Sequence, residues 1–373
     1  MITIKKVSSS KDLADFIDFP HHLYKGDVNY VPELFIAQRD LLSVKKHPFF
    51  KHSKLDLFLA IKEAKIVGRI AAIRNNNHLK YTSTKDGFWG FFDVIEDYAV
   101  AEKLFDTVSE WVKKEELTSI IGPVNFSTNE TCGLLIEGFD TPPVVMMTYN
   151  KNYYPEFIEK YGYRKKMDLI AYNLKTSELS DRTVNLVERL EERLKLRGIT
   201  IRTTNMKDFA KEVTKIKEIY NSAWDKNWGF VPMTDEEFDF MAKDMKMILD
   251  PDFCYLAEHH GKAVGFSLAI PDMNQVFIKI KKGRLLPTGL FKLLFNKKKV
   301  NKVRVLTLGV VEEYRKMGIE ACFYARNIIT AKKKNILSAE ASWILETNEM
   351  MNKALLNINA EPYKKYRMYE LAL

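Results

Sequence analysis

The feature that most constrains this chain is that its two halves repeat, because a duplicated block order admits only folds built from two like units. ITIK at Ile2 to Lys5 returns 197 residues later as ITIR at Ile199 to Arg202. FLAIKEAKIVGRIAAI (Phe58 to Ile73) returns at the same offset as YLAEHHGKAVGFSLAI (Tyr255 to Ile270). Both versions alternate, turn on a few polar residues that include a lysine, and resume at Val-Gly, which predicts a β-hairpin in each half. VIEDYAVAEKLF (Val94 to Phe105) lines up with VVEEYRKMGIEA (Val310 to Ala321) at an offset of 216, and YNKNYYPEFIEKYG (Tyr149 to Gly162) with TNEMMNKALLNINA (Thr347 to Ala360) at 198. The offsets place one insertion in a lysine-rich stretch of the second half and a compensating one in GPVNFSTNETCGLLIEGFDTPP (Gly122 to Pro143) of the first.

The 373 residues suit two domains of roughly 150–190 residues each. Between the halves, Val184, Val187, Leu190 and Leu194 form a helical stripe that ends at Gly198. The predicted organisation is a first domain over 1–176, a linker helix over 177–198 and a second domain over 199–373, with a basic insertion at 276–300. Each half predicts strand, helices, hairpin, strand, helix, strand, helix, strand, an α/β (α+β) pattern.

One junction carries a chemical signal. RVLTLGVV (Arg304 to Val311) is a continuous apolar run of the buried-strand kind, and a helix from about Met317 to Lys332 follows it directly. A strand-to-helix turn aims unpaired N–H groups and the positive end of a helix dipole at one point, which suits a diphosphate. Gly318 would let the anion approach the backbone, and Arg315 and Lys316 add charge. An ordinary helix start with surface basic residues accounts for the same letters equally well.

The order of elements and this loop resemble the GNAT N-acyltransferases, in which the loop after the fourth strand follows the pattern (Q/R)-x-x-G-x-(G/A). Arg315 and Gly318 match its first two fixed positions; the third falls on Glu320, with Ala321 one residue later. The resemblance covers nearly the whole chain as two tandem copies. It implies two GNAT-like domains, each a mixed, mostly antiparallel sheet with splayed fourth and fifth strands flanked by helices. It further implies acetyl-CoA or a longer acyl-CoA as co-substrate, held by Gly309, Val310 and Val311 on the strand and by Arg315, Lys316, Met317, Gly318 and Ile319 in the loop. The implied reaction is acyl transfer from that thioester to a primary amine. In the first half Ala99 and Glu102 stand where Arg315 and Gly318 stand in the second, so no phosphate loop is expected there. Tandem halves also resemble Fem-type peptidyl transferases and protein N-myristoyltransferase. The former implies a different activity, aminoacyl transfer from charged tRNA, and a non-catalytic scaffold binding a lipid or partner is a third reading.

Acyl transfer needs a neutral amine, a polarised thioester carbonyl and a proton for the departing thiolate. Alternation along SAEASWILETN puts Glu340 and Glu346 on one strand face as candidate bases, with Asn348 opening the next helix. Capping or pairing on that helix is the competing role for Glu346. The position of the family's tyrosine acid falls on Leu356, which leaves Tyr363, Tyr366 or Tyr369, with Tyr366 the candidate retained. In YNSAWDKNWGFVPMT, the residues Asn221, Trp224, Asn227, Trp228 and Phe230 are candidates for an acceptor pocket, core packing being the alternative. Asn125 and Asn129 in the first-half insertion are further substrate candidates, against an Asx-rich turn. The pairs His21-His22 and His259-His260 lack partners at ligand spacing, so no metal is assigned.

Lys plus Arg exceed Asp plus Glu by 58 to 49, a net charge of +9, yet the excess is local. Ten basic residues and no acid lie between Met273 and Val311, leaving −1 for the rest. Over 276–300 short apolar runs such as GLFKLLF alternate with lysines, a composition fit for the headgroup zone of an anionic membrane. A solvated excursion docked on the other domain is the competing reading, and aromatics set within aliphatic runs speak against nucleic acid. The acceptor would then be a small-molecule or a lipid amine. Three widely spaced cysteines exclude a disulfide framework, and no run of about 18 apolar residues is present. The expectation is a cytoplasmic protein, peripheral to the inner membrane face, of an oligomeric state the letters do not encode.

Overall fold

The computed structural model describes residues 1–178, 181–224 and 227–373, with the side chains of 181–186 outside the description. The repeated hairpins form as their alternation dictates. β2 (Lys54–Lys62) turns through Glu63 and Ala64 into β3 (Lys65–Arg74), and β9 (Cys254–His259) turns through His260 and Gly261 into β10 (Lys262–Pro271).

The chain forms two units that interleave along the sequence. The first comprises Met1–Leu169, Asn274–Lys298 and Lys364–Leu373; the second comprises Ile170–Met273 and Lys299–Tyr363. The linear boundaries drawn from the repeat therefore do not describe the units: most of the basic stretch and the last ten residues belong with the first half of the chain. Of the expected linker, residues 179 and 180 lie outside the described residues, as does the Val184 side chain.

In the first unit, β1 (Ile2–Lys6), α1 (Ser10–Leu23), α2 (Phe35–Leu41) and the hairpin lead to α3 (Asn76–Thr82), β4 (Asp86–Val94), α4 (Tyr98–Lys114) and β5 (Ser119–Gly122). β6 (Leu134–Glu137), α5 (Tyr154–Tyr161) and the start of β7 (Arg164–Lys175) follow. The strand order is β1-β2-β3-β4-β5, closed by the end of β13 (Glu361–Ala372), with β6 also on β13. Pairing is antiparallel except between β4 and β5. β13 sets Tyr369 opposite Gly122 and Ala372 opposite Ser119. Helix α4 buries Val100, Ala101, Leu104, Phe105, Val108 and Val112, at helical spacing, among Trp89, Phe92, Tyr154 and Tyr369.

In the second unit, α6 (Asp181–Leu196), β8 (Ile199–Thr203), α7 (Phe209–Ala223), α8 (Asp235–Met245) and the hairpin precede β11 (Lys302–Val310), α11 (Ile319–Lys333), β12 (Ser338–Leu345) and α12 (Glu349–Asn357). The order β8-β9-β10-β11-β12 repeats that of the first unit, and β7, whose residues from Ile170 belong here, takes the place beside β12. Helix α6 is part of this core: Val187, Leu190 and Leu194 pack with Ile319 and Phe323, and Glu191 holds Arg326 at 2.6 and 2.8 Å.

The registers bear out the duplication. Gly68 lies opposite Val94 and Gly265 opposite Val310, matching the offsets of 197 and 216. Both ladders slip by one residue just beyond, between Arg69 and Ala71 and between Leu268 and Ala269, a bulge on the later strand in each copy. The last block aligns at 197, not 198. Gly162 and Asn359 are the left-handed residues that end α5 and α12, and Tyr163 N–H to the Ile158 carbonyl matches Ala360 N–H to the Leu355 carbonyl. A helix stop is a geometric marker that low letter identity does not resolve.

Because β13 supplies a full ladder to β5 and buries Tyr369, a chain ending at Tyr363 is expected to lose the fold of the first unit. Hydrogen exchange should show β5 amides unprotected; wild-type protection there would contradict the strand assignment.

Candidate active site

The second unit opens at a fork. β11 and β12 pair in parallel only from Lys302 opposite Ser338 to Val305 opposite Ala341, after which β11 runs on to Val310 and β12 to Leu345. Val311 N–H donates to the Val264 carbonyl at 2.9 Å, so alternation turns the backbone groups of Gly309 and Val311 toward β10. Those facing the open side belong to Leu308 and Val310. This corrects the sequence reading, which took Gly309, Val310 and Val311 together. Gly309 has another part: a Cβ there would stand 2.2 Å from the Trp224 ring, so the glycine admits the indole against the strand.

Past β11 the chain turns through 311–318 and enters α11. Gly318 precedes the helix at φ +95 with no side-chain cap, and a Cβ on it would meet Leu190 at 2.6 Å, so both conformation and space require glycine. The N–H groups of Ile319, Glu320 and Ala321 have no carbonyl one turn behind them. The Arg315 guanidinium braces the loop: Nε donates to the Val310 carbonyl (3.1 Å) and Nη2 to that of Ala223 (3.0 Å). Lys316 is exposed, and Met317 packs against the core beneath. Glu320 sits half-buried in the first turn, where a carboxylate complements the helix dipole. Burial, with the Glu320 charge adding, pushes the Tyr324 phenol up to about 12, and its hydroxyl lies 3.0 Å from Met351 Sδ. Burial likewise pushes the Cys322 thiol up to about 12, which keeps it a poor nucleophile.

The first unit has the same fork, and its own residues occupy it. β4 and β5 pair only from Asp86 opposite Ser119 to Phe88 opposite Ile121. The Val94 N–H donates to the Tyr154 hydroxyl (2.8 Å), and the Val94 carbonyl accepts from Tyr153 (2.7 Å). Asn125 Oδ1 accepts from Phe91 N–H (3.0 Å), and Val124 N–H donates to the Trp89 carbonyl (2.8 Å). Helix α4 starts soon after the strand, capped by the Asp97 carboxylate on Ala99 N–H (3.1 Å), so Ala99 and Glu102 lie inside a helix rather than in a loop. Asp93 stands where β11 has Gly309. It is buried, paired with Arg69 at 2.8 Å and hydrogen-bonded by Tyr24 at 3.0 Å; burial pushes its carboxyl up against the pull of Arg69. Two charged residues inside apolar strand runs, Arg69 in KIVGRIAAI and Asp93 in GFWGFFDV, were the available sequence signal for this network.

The sequence candidates separate. Glu340 is fully buried, accepting from Ser342 Oγ (2.5 Å) and from the Tyr363 hydroxyl, while Arg304 Nε donates to Ser342 Oγ (3.0 Å). That closed network ties β11 to β12 where they part. Asn348 caps α12 through Met351 N–H (3.1 Å). Glu346 lies in the turn after β12, half-buried, its carbonyl 3.4 Å from Asn352 Nδ2. Tyr366 is a fully buried aromatic of the first unit beside Gly133, not a residue of the second. Asn129 belongs to an internal turn, its N–H on Ser127 Oγ at 3.1 Å.

Among the acceptor candidates, Trp224 stacks on Tyr220 (5.0 Å) and Phe230 is buried against the same ring (5.8 Å). Asn227 is exposed and Trp228 half-buried; residues 225 and 226 between them lie outside the described residues. Among the described residues Asn221 Oδ1 is buried without a hydrogen-bond partner, and so is the hydroxyl of Thr307, at the bulge of β11. Nothing in the sequence pattern marked Thr307. Each such orphan costs about 1–3 kcal/mol unless something else satisfies it. Among the described residues no group of three or more His, Cys, Asp or Glu is arranged to hold a metal ion.

A bulged strand that parts from its parallel neighbour and leads into a helix, an arrangement the chain carries twice, defines the tandem GNAT acyltransferase fold. The tandem GNAT protein from the clavulanic acid biosynthesis pathway shares it over 100% of this chain and 98% of its own, at a TM-score of 0.59 and 10% identity. A GCN5-related N-acetyltransferase from Sphaerobacter thermophilus does so over 100% and 95%, at 0.54 and 12%. These likenesses concern fold alone. No family profile matches the chain. By sequence the chain belongs to the family of protein YghO of Escherichia coli and bacterial ceramide synthase of Caulobacter vibrioides. It is 36% identical to the former over 98% of this chain and 94% of that protein, and 34% identical to the latter over 100% and 98%.

Replacing Gly318 by alanine forces a Cβ into Leu190 at a left-handed φ. The expected loss is about 1–3 kcal/mol of second-unit stability in urea unfolding; an unchanged midpoint would contradict the packing described.

Proposed function

We propose that the chain is an N-acyltransferase that takes an acyl group from acyl-CoA, or another pantetheine thioester, held in the second unit, and joins it to a primary amine. The observation that carries this is the open strand edge at Leu308 and the Val310 N–H leading into the uncapped start of α11, against the self-filled edge of the first unit. Pantetheine amides would pair with the strand, and the diphosphate would take the N–H groups of Ile319 to Ala321. A relative named bacterial ceramide synthase supports a lipid-related amine as acceptor.

In the transfer the amine nitrogen attacks the thioester carbonyl, its proton leaves, and the carbon–sulfur bond breaks to a thiolate that takes a proton. The Thr307 hydroxyl suits the carbonyl oxygen, and Asn221 Oδ1 suits an amine N–H, since both are buried polar atoms that lack a partner. Glu346 is the carboxylate we assign to take the amine proton, because Glu340 is locked in its network. The Tyr324 phenol, protonated throughout the neutral range, is the donor we assign to the thiolate. Glu320 at the phosphate position favours a second reading, a non-catalytic scaffold, since its charge opposes the diphosphate.

Thermal melting with CoA, acetyl-CoA and palmitoyl-CoA tests the donor site. A rise in melting temperature is expected, with Gly318→Asp abolishing it and Glu320→Ala tightening binding about fivefold as one repulsive charge is removed. No shift with any chain length would overturn the reading. Amide formation on a long-chain amine, followed by mass spectrometry, separates enzyme from scaffold.

A further inference from the structure

Helix α10 (Gly289–Asn296), with α9 (Asn274–Phe277) before it, presents an apolar face to the surface. Its polar residues bond within their own segment: Lys292 Nζ donates to the Lys279 carbonyl (2.7 Å), and Asn296 Nδ2 donates to the Lys292 carbonyl (2.8 Å) while Lys279 Nζ reaches Asn296 Oδ1 (3.4 Å). Its apolar residues turn outward. Leu290, Phe291, Leu294 and Phe295 are 40, 60, 63 and 74% exposed, and Leu286 just before the helix is 75% exposed. At 3.6 residues per turn these four helical positions make one contiguous face. The segment is held in this attitude by the first unit, where Arg284 forks onto Asp18 at 2.7 and 3.0 Å and lies 3.4 Å over the Phe35 ring, and Asn274 donates to the Pro143 carbonyl at 2.9 Å.

We propose that this face docks on an anionic lipid bilayer, with Phe291, Leu294 and Phe295 entering between headgroups. Charge decides the occupant. Lys279, Lys281 and Lys282 before the helix and Lys297 and Lys298 after it are exposed, and no acidic residue occurs from 274 to 310. A second copy would set like charges against each other, whereas phosphate headgroups neutralise them. Nucleic acid would meet aliphatic side chains interrupting the rings it needs for stacking. Eight residues of helix are about 12 Å long, far short of a bilayer core, so α10 lies in the interface plane. Among the described residues no helix is long and apolar enough to cross a membrane.

The test is co-sedimentation of the full chain with vesicles of phosphatidylglycerol mixed with phosphatidylethanolamine, and with vesicles of phosphatidylcholine. Binding to the anionic vesicles is expected, falling at least about tenfold for the pair Phe291→Ser and Phe295→Ser, and likewise for Lys297→Gln with Lys298→Gln, both with unchanged melting. Equal binding to phosphatidylcholine would overturn the proposal. So would vesicle binding indifferent to the serine pair, retention on an RNA oligonucleotide with no vesicle binding, or a dimer that the serine pair dissolves. The readout involves no thioester or turnover, so its failure is distinct from failure of the acyl-transfer reading.

Discussion

The second unit turns on main-chain groups that a strand leaves without a ladder where it parts from its parallel neighbour. Once β11 bulges and separates from β12, the main-chain groups of Leu308 and the Val310 N–H turn away from β10 with no ladder beside them, while the Val310 carbonyl is taken by Arg315. Buried peptide groups must be satisfied, by protein, water or ligand. The chain answers that demand in two ways in its two copies. In the first, the hydroxyls of Tyr153 and Tyr154 and the amide of Asn125 complete the strand from within. In the second, Met350 and Met351 stand at the corresponding places on α12, and no tyrosine pair completes the strand.

Divergence at the helix start points the same way. Helix α4 follows its strand closely and carries the Asp97 carboxylate as a cap, whereas the longer turn of 311–318 delivers α11 uncapped behind Gly318. One copy starts its helix with a carboxylate cap and the other without a side-chain cap. A buried Asp93–Arg69 pair involves the residue at the position of Gly309, and removing either charge would strand the other in the core. Duplication thus supplied two forks, and side-chain substitution closed one of them.

Much of this was legible in the letters. The repeat located both hairpins and the paired strands β4 and β11, and Gly318 marked the loop, because those features depend on local pattern and backbone conformation. Features that depend on distant residues were not legible. The exchange of β7 and β13 leaves no trace in periodicity, since a strand looks the same whichever neighbour it takes. Backbone parity at Leu308 and Val310 required the register, and the locking of Glu340 required Tyr363 and Ser342 to be seen around it. Asn348 and Arg315 looked chemical yet serve as cap and brace, since polar side chains beside a helix end satisfy its backbone as readily as they bind a ligand. The exposed apolar face of α10 was visible only as composition; which residues faced outward required the structure.

Amide hydrogen exchange with and without a CoA thioester measures the central claim directly. Slowed exchange at Leu308, Val310 and Ile319 to Ala321, with Val94 and Ala99 unaffected, is the result this account requires. Protection at Val94 or Ala99 in the first unit, or none at Leu308 and Val310 under saturating thioester, would contradict it.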